Sequence, residues 1–294
     1  MATDFEFKLP NGDTVKTGNI APDVKPLGSF QPYPDADLLN DDQIRTILQD
    51  PGRKRARDIY GANWLLNQGG ANSCNLYACA GALARARDRK GLGRVEFAPE
   101  WGYMHINGGQ DQGSHLDKGM LWMAERGLPL KGMVPYESFN VQRHMPNMED
   151  QRRAAMSAAD HRYFEAYVLP ANEGIEKLWR AMVSALLRNE QIVIAVHVGQ
   201  QYMYTPNKPW TVAGFDPGKG NHAVACDDVI APKGWSQVTD LLLDQYGSWD
   251  TGHGENGRCL LLPRHAEEPS KYHCYYAVRS ATSSKNDKCP SLRV

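Results

Sequence analysis

The chain has 294 residues, a net charge of −1 at pH 7 and 41% hydrophobic residues, which is a composition typical of a folded globular protein. Because neither basic nor acidic residues are in excess, the composition argues against nucleic acid as a partner and against an acidic disordered tail. No apolar run reaches the roughly 18 residues that would span a membrane, and the N-terminus has no signal-peptide pattern. We therefore expect no membrane contact and a cytoplasmic or virion-associated protein.

The cysteines do not follow the spacing of a metal site. There are six of them, at positions 74, 79, 226, 259, 274 and 289, without a C-x-x-C pair or paired Cys/His spacing. In the absence of a secretory signal we expect free thiols, no metal and no other cofactor.

Residues 1–55 predict an N-terminal arm with one short helix. The stretch "KLPNGDTV" (8–15) fits a small hairpin, because Asn-Gly favours a tight turn. A helix is predicted between Asn40 and Pro51. Asn40 fits the N-cap position, Gln43 follows three residues later, and Pro51 stops the helix. The basic run "GRKRAR" (52–57) is interpreted as a solvated linker, with a processing or partner-binding site as the alternative.

Residues 56–160 predict a helical lobe. Apolar residues recur at helical spacing over 73–89, where Ser73 is the predicted N-cap. Pro99 favours the start of a second helical segment. A third helix is predicted over 115–127 and is closed by Gly127.

Residues 161–280 predict a β-rich lobe, and residues 281–294 a polar tail. An amphipathic helix is predicted over 172–190. Strand-like runs bounded by turn residues occur at 162–169, 191–198, 222–230, 239–246, 257–263 and 272–279. A helical half followed by a β-rich half is typical of an α+β protein with two lobes.

Cys74 is a candidate nucleophile. In the first turn of the helix predicted over 73–89, its thiol lies near the positive end of the helix dipole. With an imidazolium nearby, the pKa of such a thiol can fall to roughly 3.5–7.5, so that the thiolate forms at neutral pH. The alternative is a small buried residue, since free cysteines are often buried.

Three further residues fit the same chemistry. Gln68, in the loop before the helix, could donate to an oxyanion together with the backbone N–H of Cys74. His222 opens an alternating strand after a glycine-rich turn and could act as general base and then general acid. Trp249, in a glycine-rich turn, could cover the imidazole and exclude water, although ordinary hairpin packing would also explain it.

The order of these residues resembles the papain family of cysteine peptidases. "QGGANSC" (68–74) is similar to the family pattern Q-G-x-C-G-S-C. "NHAVA" (221–225) resembles the family's histidine strand, and "SWDTGHGENG" (248–257) resembles S-W-G-x-G-W-G-E-x-G. "DQGSHLDKGMLWMAERGLPLKGMVPYES" (111–138) resembles the family's glycine-rich substrate loop with the helix that follows it.

The resemblance implies an α+β fold with a helical N-terminal lobe, a β-rich, barrel-like C-terminal lobe and an active-site cleft between them. It implies that Cys74 is the nucleophile, His222 the general base and acid, and Gln68 part of the oxyanion hole. It also implies that Gly113 and Ser114 offer backbone to an extended polypeptide substrate, with Trp249 beside it.

The sequence departs from the family pattern at several positions. The catalytic Asn that orients the histidine is replaced by Gly247, and Gln245, two residues earlier on the same strand face, is the candidate substitute. Asn75 stands where the family has a tryptophan after the nucleophile, and His253 replaces a second tryptophan. Ala71 stands at a half-cystine position, so the family disulfide there is absent.

Three functions are consistent with these residues. The first is a cysteine peptidase that cleaves peptide bonds through a thioester acyl-enzyme. The second is a catalytically impaired papain-fold protein that binds a protein partner within a larger assembly, such as a phage particle. The third is an acyltransferase or amidase of the same fold. A cleft filled by the chain's own side chains would favour the second function.

Overall fold

The computed structural model describes residues 5–8, 14–21, 30–60, 67–161, 164–247 and 254–281. The helices are α1 (Asp41–Gln49), α2 (Ala56–Tyr60), α3 (Cys74–Arg89), α4 (Pro99–Ile106), α5 (Leu116–Arg126), α6 (Val141–His144), α7 (Met148–Ala159), α8 (Ile175–Leu187), α9 (Gln200–Met203) and α10 (Pro263–Ser270). The strands are β1 (Phe5–Lys8), β2 (Thr14–Thr17), β3 (Phe164–Val168), β4 (Gln191–Val196), β5 (His222–Ile230), β6 (Leu242–Tyr246), β7 (Arg258–Leu261) and β8 (Tyr276–Ala281).

The later strands form one antiparallel sheet in the order β3-β8-β4-β5-β6-β7, while β1 and β2 pair separately as the hairpin predicted for the arm. β5 lies inside the sheet, where His222 pairs with Val196 of β4 and Ala225 pairs with Tyr246 of β6. Helices up to residue 159, followed mainly by antiparallel sheet, confirm the predicted α+β class.

Helices cover both faces of the sheet. Ala223 and Ala225 of β5 belong to the same buried cluster as the α3 residues Cys74, Ala78 and Ala82, and small side chains on both elements permit this close packing. On the opposite face, Val224 and Cys226 pack with Trp179 and Met182 of α8. Burial on both faces explains why β4 reads as a continuous apolar run rather than as an alternating one.

The helix signals in the sequence were only partly accurate. Asn40 and Gln43 form the predicted reciprocal cap at the start of α1. α3 begins at Cys74 as predicted, but the side chain of Ser73 makes no capping hydrogen bond. The prediction missed α10, which has Pro263 in its first turn and contains Pro269, because prolines read as turn residues.

The interpretation of residues 52–57 as a solvated linker is wrong for two of its arginines. Arg57 donates through Nε and one terminal nitrogen to both oxygens of Asp244 at 2.7 and 2.8 Å. Arg53 pairs with Asp228, which also accepts from the Ala56 backbone at 2.7 Å. The run therefore docks α2 onto β5 and β6, because each buried carboxylate needs a cationic partner.

These pairs continue into a buried ladder of alternating charge. Arg258 contacts Asp244 at 2.8 Å and Asp227 at 2.6 Å, and Asp227 also pairs with Arg85 of α3. The side chains of these four residues are at most 1% exposed. The ladder joins the helix that begins with Cys74 to the strand that begins with His222.

Much of the predicted N-terminal arm is packed against the β-rich part. Tyr33 and Leu39 are buried in the core beside α8, and the Tyr33 backbone N–H donates to Val168 of β3 at 2.8 Å. The predicted division of the chain at residue 55 stays a prediction. In the described part of the chain, no helix is long and apolar enough to cross a membrane.

Glu190, between α8 and β4, is a buried carboxyl group near this packed segment. Its Oε1 accepts from Arg279 Nε at 2.7 Å, and Arg279 also donates to Asp37 at 2.5 Å. Burial raises the pKa of Glu190 to about 7, and the Arg279 guanidinium only partly opposes this shift.

We predict that Glu190→Gln changes the pH dependence of stability. A carboxyl pKa that is raised on folding contributes its full stability below about pH 4.5, and this contribution is lost as the pH rises to about 7. The free energy of unfolding of the unmodified chain, relative to the variant, should fall by up to about 3 kcal/mol between these pH values. Urea unfolding at pH 4 and pH 8 measures this difference, and an equal difference at both pH values would contradict the prediction.

Candidate active site

Cys74 is the first residue of α3 and is completely buried. Because α3 lies against β5, the N-terminus of the helix comes to the end of the strand that carries His222. The backbone of Ala223, the next residue after His222, is hydrogen-bonded to the Cys74 sulfur. The fold therefore brings the predicted nucleophile and the predicted base, which are far apart in sequence, to neighbouring positions.

His222 is also buried, and the turn before it is tightly held. The side chain of Asn221 accepts from the backbone N–H of Val198 at 2.8 Å and donates to the Val198 carbonyl at 3.0 Å. Gly220 has a positive φ of 89°, and a Cβ there would lie 2.8 Å from Pro269. These contacts fix the backbone at the start of β5, from which the imidazole projects.

Gln68 is buried in the loop before α3. Its side-chain nitrogen donates to the Ala71 carbonyl at 2.7 Å and to the Lys16 carbonyl at 2.9 Å. The first contact fixes the amide within its own loop. The second delivers the same amide to a peptide carbonyl from the N-terminal arm, which is the type of group that an oxyanion-hole donor meets.

The arm itself passes through the site, which the sequence did not predict. The Ser114 N–H donates to the Gly18 carbonyl at 2.9 Å, and the Ile20 N–H donates to the Ser114 carbonyl at 3.1 Å. On the other side, the Asn19 N–H donates to the Asn221 carbonyl at 3.0 Å. Residues 18–20 thus form a short extended segment held between Ser114 and Asn221 by backbone hydrogen bonds.

Gly18 occupies a narrow slot in this segment. A Cβ on Gly18 would lie 2.6 Å from the Cα of Asn72 and would collide with the Asn72 carbonyl as well. Gly113, on the other wall, has a φ of 78°, and its own Cβ would run into the Gly18 carbonyl. Glycine at both positions lets the two backbones approach. Gly18 is therefore a local sequence signal for the path of the arm.

Gly113 and Ser114 are predicted to offer backbone to a peptide, and of these Ser114 pairs with the arm directly. The N–H of Gly113 instead donates to the hydroxyl of Tyr103 at 3.1 Å. Gly113 thus lies close to the Gly18 carbonyl without donating its N–H to the arm, and its role toward a substrate stays a prediction.

The environment of Cys74 raises the pKa of its thiol, whereas the sequence predicted a lowered pKa. Burial raises the pKa of the Cys74 thiol to about 11, and backbone hydrogen bonds with Ala223 and Gly18 oppose this only partly. The expected lowering at a helix N-terminus is thus outweighed by the loss of solvation. At neutral pH the thiol is protonated in this closed form.

The predicted substitute for the missing Asn lies in a different part of the strand. Gln245 pairs with Cys226, four residues from His222 and therefore about 13 Å along β5. Its side-chain nitrogen donates to the Gly257 carbonyl at 3.2 Å and to Cys259 Sγ at 2.9 Å. We therefore do not assign Gln245 as the residue that orients His222. Trp249, with Ser248 and His253, lies outside the described residues.

Asn75 and Asp111 are site residues whose roles sequence reasoning missed. The Asn75 amide donates to Ser114 Oγ and to the His115 carbonyl, the latter at 3.1 Å. The Asp111 carboxylate accepts from the Asn72 backbone N–H at 2.7 Å. Both connect the N-terminus of α3 and its preceding loop to the segment that pairs with the arm. Among the described residues, no group of three or more His, Cys, Asp or Glu side chains could hold a metal ion.

Comparison with known proteins supports the fold. No family model and no curated protein matches the sequence. Among solved structures, xylellain, a cysteine protease from Xylella fastidiosa, aligns with a TM-score of 0.61 and 16% identity over 96% of this chain and 100% of its own. ProCathepsin B S9 from Trypanosoma congolense aligns with a TM-score of 0.58 and 18% identity, over 90% of this chain and 87% of its own.

The Amb a 11 cysteine protease of ragweed pollen, in its proform, aligns with a TM-score of 0.56 and 14% identity over 74% of this chain. The alignment spans 61% of the length of the ragweed protein. At these identities the similarity establishes the architecture and not the activity. The chain therefore has the papain-like α+β fold, in a divergent form.

Proposed function

We propose that the protein is a papain-like cysteine peptidase whose active site is kept latent by residues 16–20 of its own chain. The observation that carries the proposal is the binding of this segment across Cys74. Ser114 and Asn221 supply backbone hydrogen bonds to it, and the Gln68 amide binds one of its carbonyls. A groove that holds an extended peptide by its backbone is suited to a polypeptide substrate.

The proposed latent state follows from the contacts of Gly18 and from the protonation state of the Cys74 thiol. The backbone of Gly18 lies beside the Cys74 thiol and lowers its pKa against the larger effect of burial, while the Gly18 carbonyl accepts from the Ser114 N–H. The raised pKa keeps the thiol protonated, so little nucleophilic thiolate is present at neutral pH. The arm therefore occupies the groove without being a substrate.

When the arm leaves, the thiol is solvated and His222 takes its proton. The thiolate attacks the carbonyl carbon of a bound peptide, and the developing oxyanion is held by the Gln68 amide and the Cys74 backbone N–H. Collapse of this intermediate expels the amine, which receives the proton from His222, and leaves a thioester. Water, deprotonated by His222, then releases the carboxylic acid and restores the thiol.

A second function is favoured by a separate observation. Gly247 occupies the position of the orienting Asn in the papain pattern, and a glycine cannot hold an imidazole. Loss of the orienting residue costs on the order of 10⁴ in rate in related triads. A protein that binds peptides without cleaving them, as a component of a larger assembly, is therefore the second candidate. Residues 18–20 of the arm are bound through backbone hydrogen bonds, as an extended peptide substrate would be, and this supports the latent peptidase.

We predict that Gly18→Val expels the arm and exposes Cys74. The added Cβ meets the Asn72 backbone, which cannot yield as a flexible side chain would. If the pKa of the thiol falls from about 11 to its ordinary value of 9.0, the rate of Cys74 alkylation by iodoacetamide at pH 7 should rise at least about 100-fold. Mass spectrometry of the Cys74 peptide measures this rate.

The control for this experiment is Thr14→Val, which changes an exposed residue of the same arm and should alkylate at the unmodified rate. Equal alkylation rates in Gly18→Val and Thr14→Val would show that the arm does not protect the thiol.

We predict that the Gly18→Val chain hydrolyses an unstructured protein such as labelled casein, whereas the unmodified chain has less than about 1% of that rate. Adding Cys74→Ala or His222→Ala should lower the initial rate at least about 10³-fold, because nucleophile and base act as one unit. A variant whose Cys74 alkylates rapidly but which cleaves nothing would exclude the peptidase and favour the second candidate.

A further inference from the structure

We propose that Asp111 is a positioning residue that sets the width of the peptide-binding slot beside Cys74. This inference rests on the proposed function, because it concerns how that site holds a peptide. The slot has two walls, namely the backbone of Asn72, against which Gly18 lies, and the backbone of Ser114, which pairs with the arm. Asp111 is hydrogen-bonded to Asn72 in the first wall and lies close in the sequence to Ser114 in the second wall.

The contacts of Asp111 with the first wall are direct. Its Oδ1 accepts from the Asn72 backbone N–H at 2.7 Å, and its backbone carbonyl accepts from the Asn72 side-chain nitrogen at 2.8 Å. Hydrogen bonds to an ionised carboxylate are stronger than those between neutral groups. Asn72, in the loop between Gln68 and Cys74, is therefore hydrogen-bonded to Asp111 at two points.

Tyr103 of α4 carries the connection to the second wall. Its hydroxyl donates to Asp111 Oδ1 at 2.6 Å and accepts from the Gly113 N–H at 3.1 Å. The phenol is fully buried, and burial together with the Asp111 carboxylate raises the pKa of Tyr103, so the hydroxyl keeps its proton. The chain Asn72–Asp111–Tyr103–Gly113 thus joins both walls of the slot.

The need for such a connection follows from the sequence. Ala71 stands where the papain pattern has a half-cystine, so the loop before Cys74 lacks that covalent tie. The slot admits a peptide backbone only within narrow limits, because one added carbon at Gly18 would collide with Asn72. A hydrogen-bonded carboxylate therefore performs the positioning for which a covalent bond is absent.

The test measures peptide binding without requiring catalysis. The full-length Gly18→Val chain serves as the background with an open groove, and the probe is a fluorescein-labelled peptide of residues 14–21, "TVKTGNIA". Asp111→Ala should raise the Kd of this peptide about 10-fold or more, because it removes charge-assisted hydrogen bonds that order the wall. Asp111→Asn keeps an acceptor oxygen and should stay within about 3-fold of the background.

Tyr103→Phe keeps the carboxylate and removes only the hydroxyl bridge, so it should weaken binding by roughly 3- to 10-fold even if Asp111→Ala does not fold. Gln112→Ala, an exposed neighbour on the same loop, is the matched control and should bind as the background does. Unchanged Kd values in both Asp111→Ala and Tyr103→Phe would overturn the proposal.

Hydrolysis of casein by the same variants separates this proposal from the proposed function. If the background cleaves casein, Asp111→Ala should raise KM while kcat changes by less than about 3-fold, because the carboxylate does not touch the reacting atoms. A background that binds the peptide but does not cleave casein would exclude the peptidase. The Kd values alone would then test the positioning role of Asp111. A parallel loss of kcat and thermal stability with no change in Kd would show a merely structural role for Asp111.

Discussion

The close packing of α3 on β5 is the constraint on which the site depends. It brings Cys74 to the end of the strand where His222 begins, although the two residues are well separated in the sequence. The approach is possible because small residues lie in the shared buried cluster on both elements, among them Ala78 and Ala82 of α3 and Ala223 and Ala225 of β5. The buried Arg85–Asp227 pair lies farther along the same two elements and holds them in register, since separating it would leave an unpaired buried charge.

The arm that crosses Cys74 is bound chiefly by its backbone. Among the described residues, the side-chain amide of Asn19 and the hydroxyl of Thr17 are buried without a hydrogen-bond partner. Each such group opposes binding by the cost of its desolvation, about 1–3 kcal/mol. The backbone hydrogen bonds of residues 18–20 with Ser114 and Asn221 oppose this cost.

Several positions that depart from the papain pattern have acquired other contacts. Asn75, in place of a tryptophan, uses its amide to hold Ser114 and His115. Asp111 supports the loop in which Ala71 replaces a half-cystine. Polar hydrogen bonds are therefore found where the papain pattern has a tryptophan and a half-cystine. Gly247 stands at the position of the orienting Asn, and Gln245, the substitute predicted from the sequence, contacts Gly257 and Cys259 instead.

The sequence by itself determined the main helices and strands around the site, although not α10, and the candidate chemistry. Helical spacing, capping residues and apolar runs indicated α3, β4 and β5, because such signals arise between residues that are close along the chain. The ordered pattern of Gln68, Cys74 and His222 indicated the papain-like fold, which the structure confirmed. Their catalytic roles stay predictions.

Only the tertiary structure decided that the arm occupies the groove, that Cys74 is a buried thiol of raised pKa and that Arg53 and Arg57 pair with buried carboxylates. The arm is bound through backbone groups that every residue possesses, so its side chains carry almost no signal of where it lies. Burial and long-range ion pairs depend on which distant segments meet. A sequence pattern records the side chains, but the free energy of ionising a side chain is set by the groups that surround it in the folded chain.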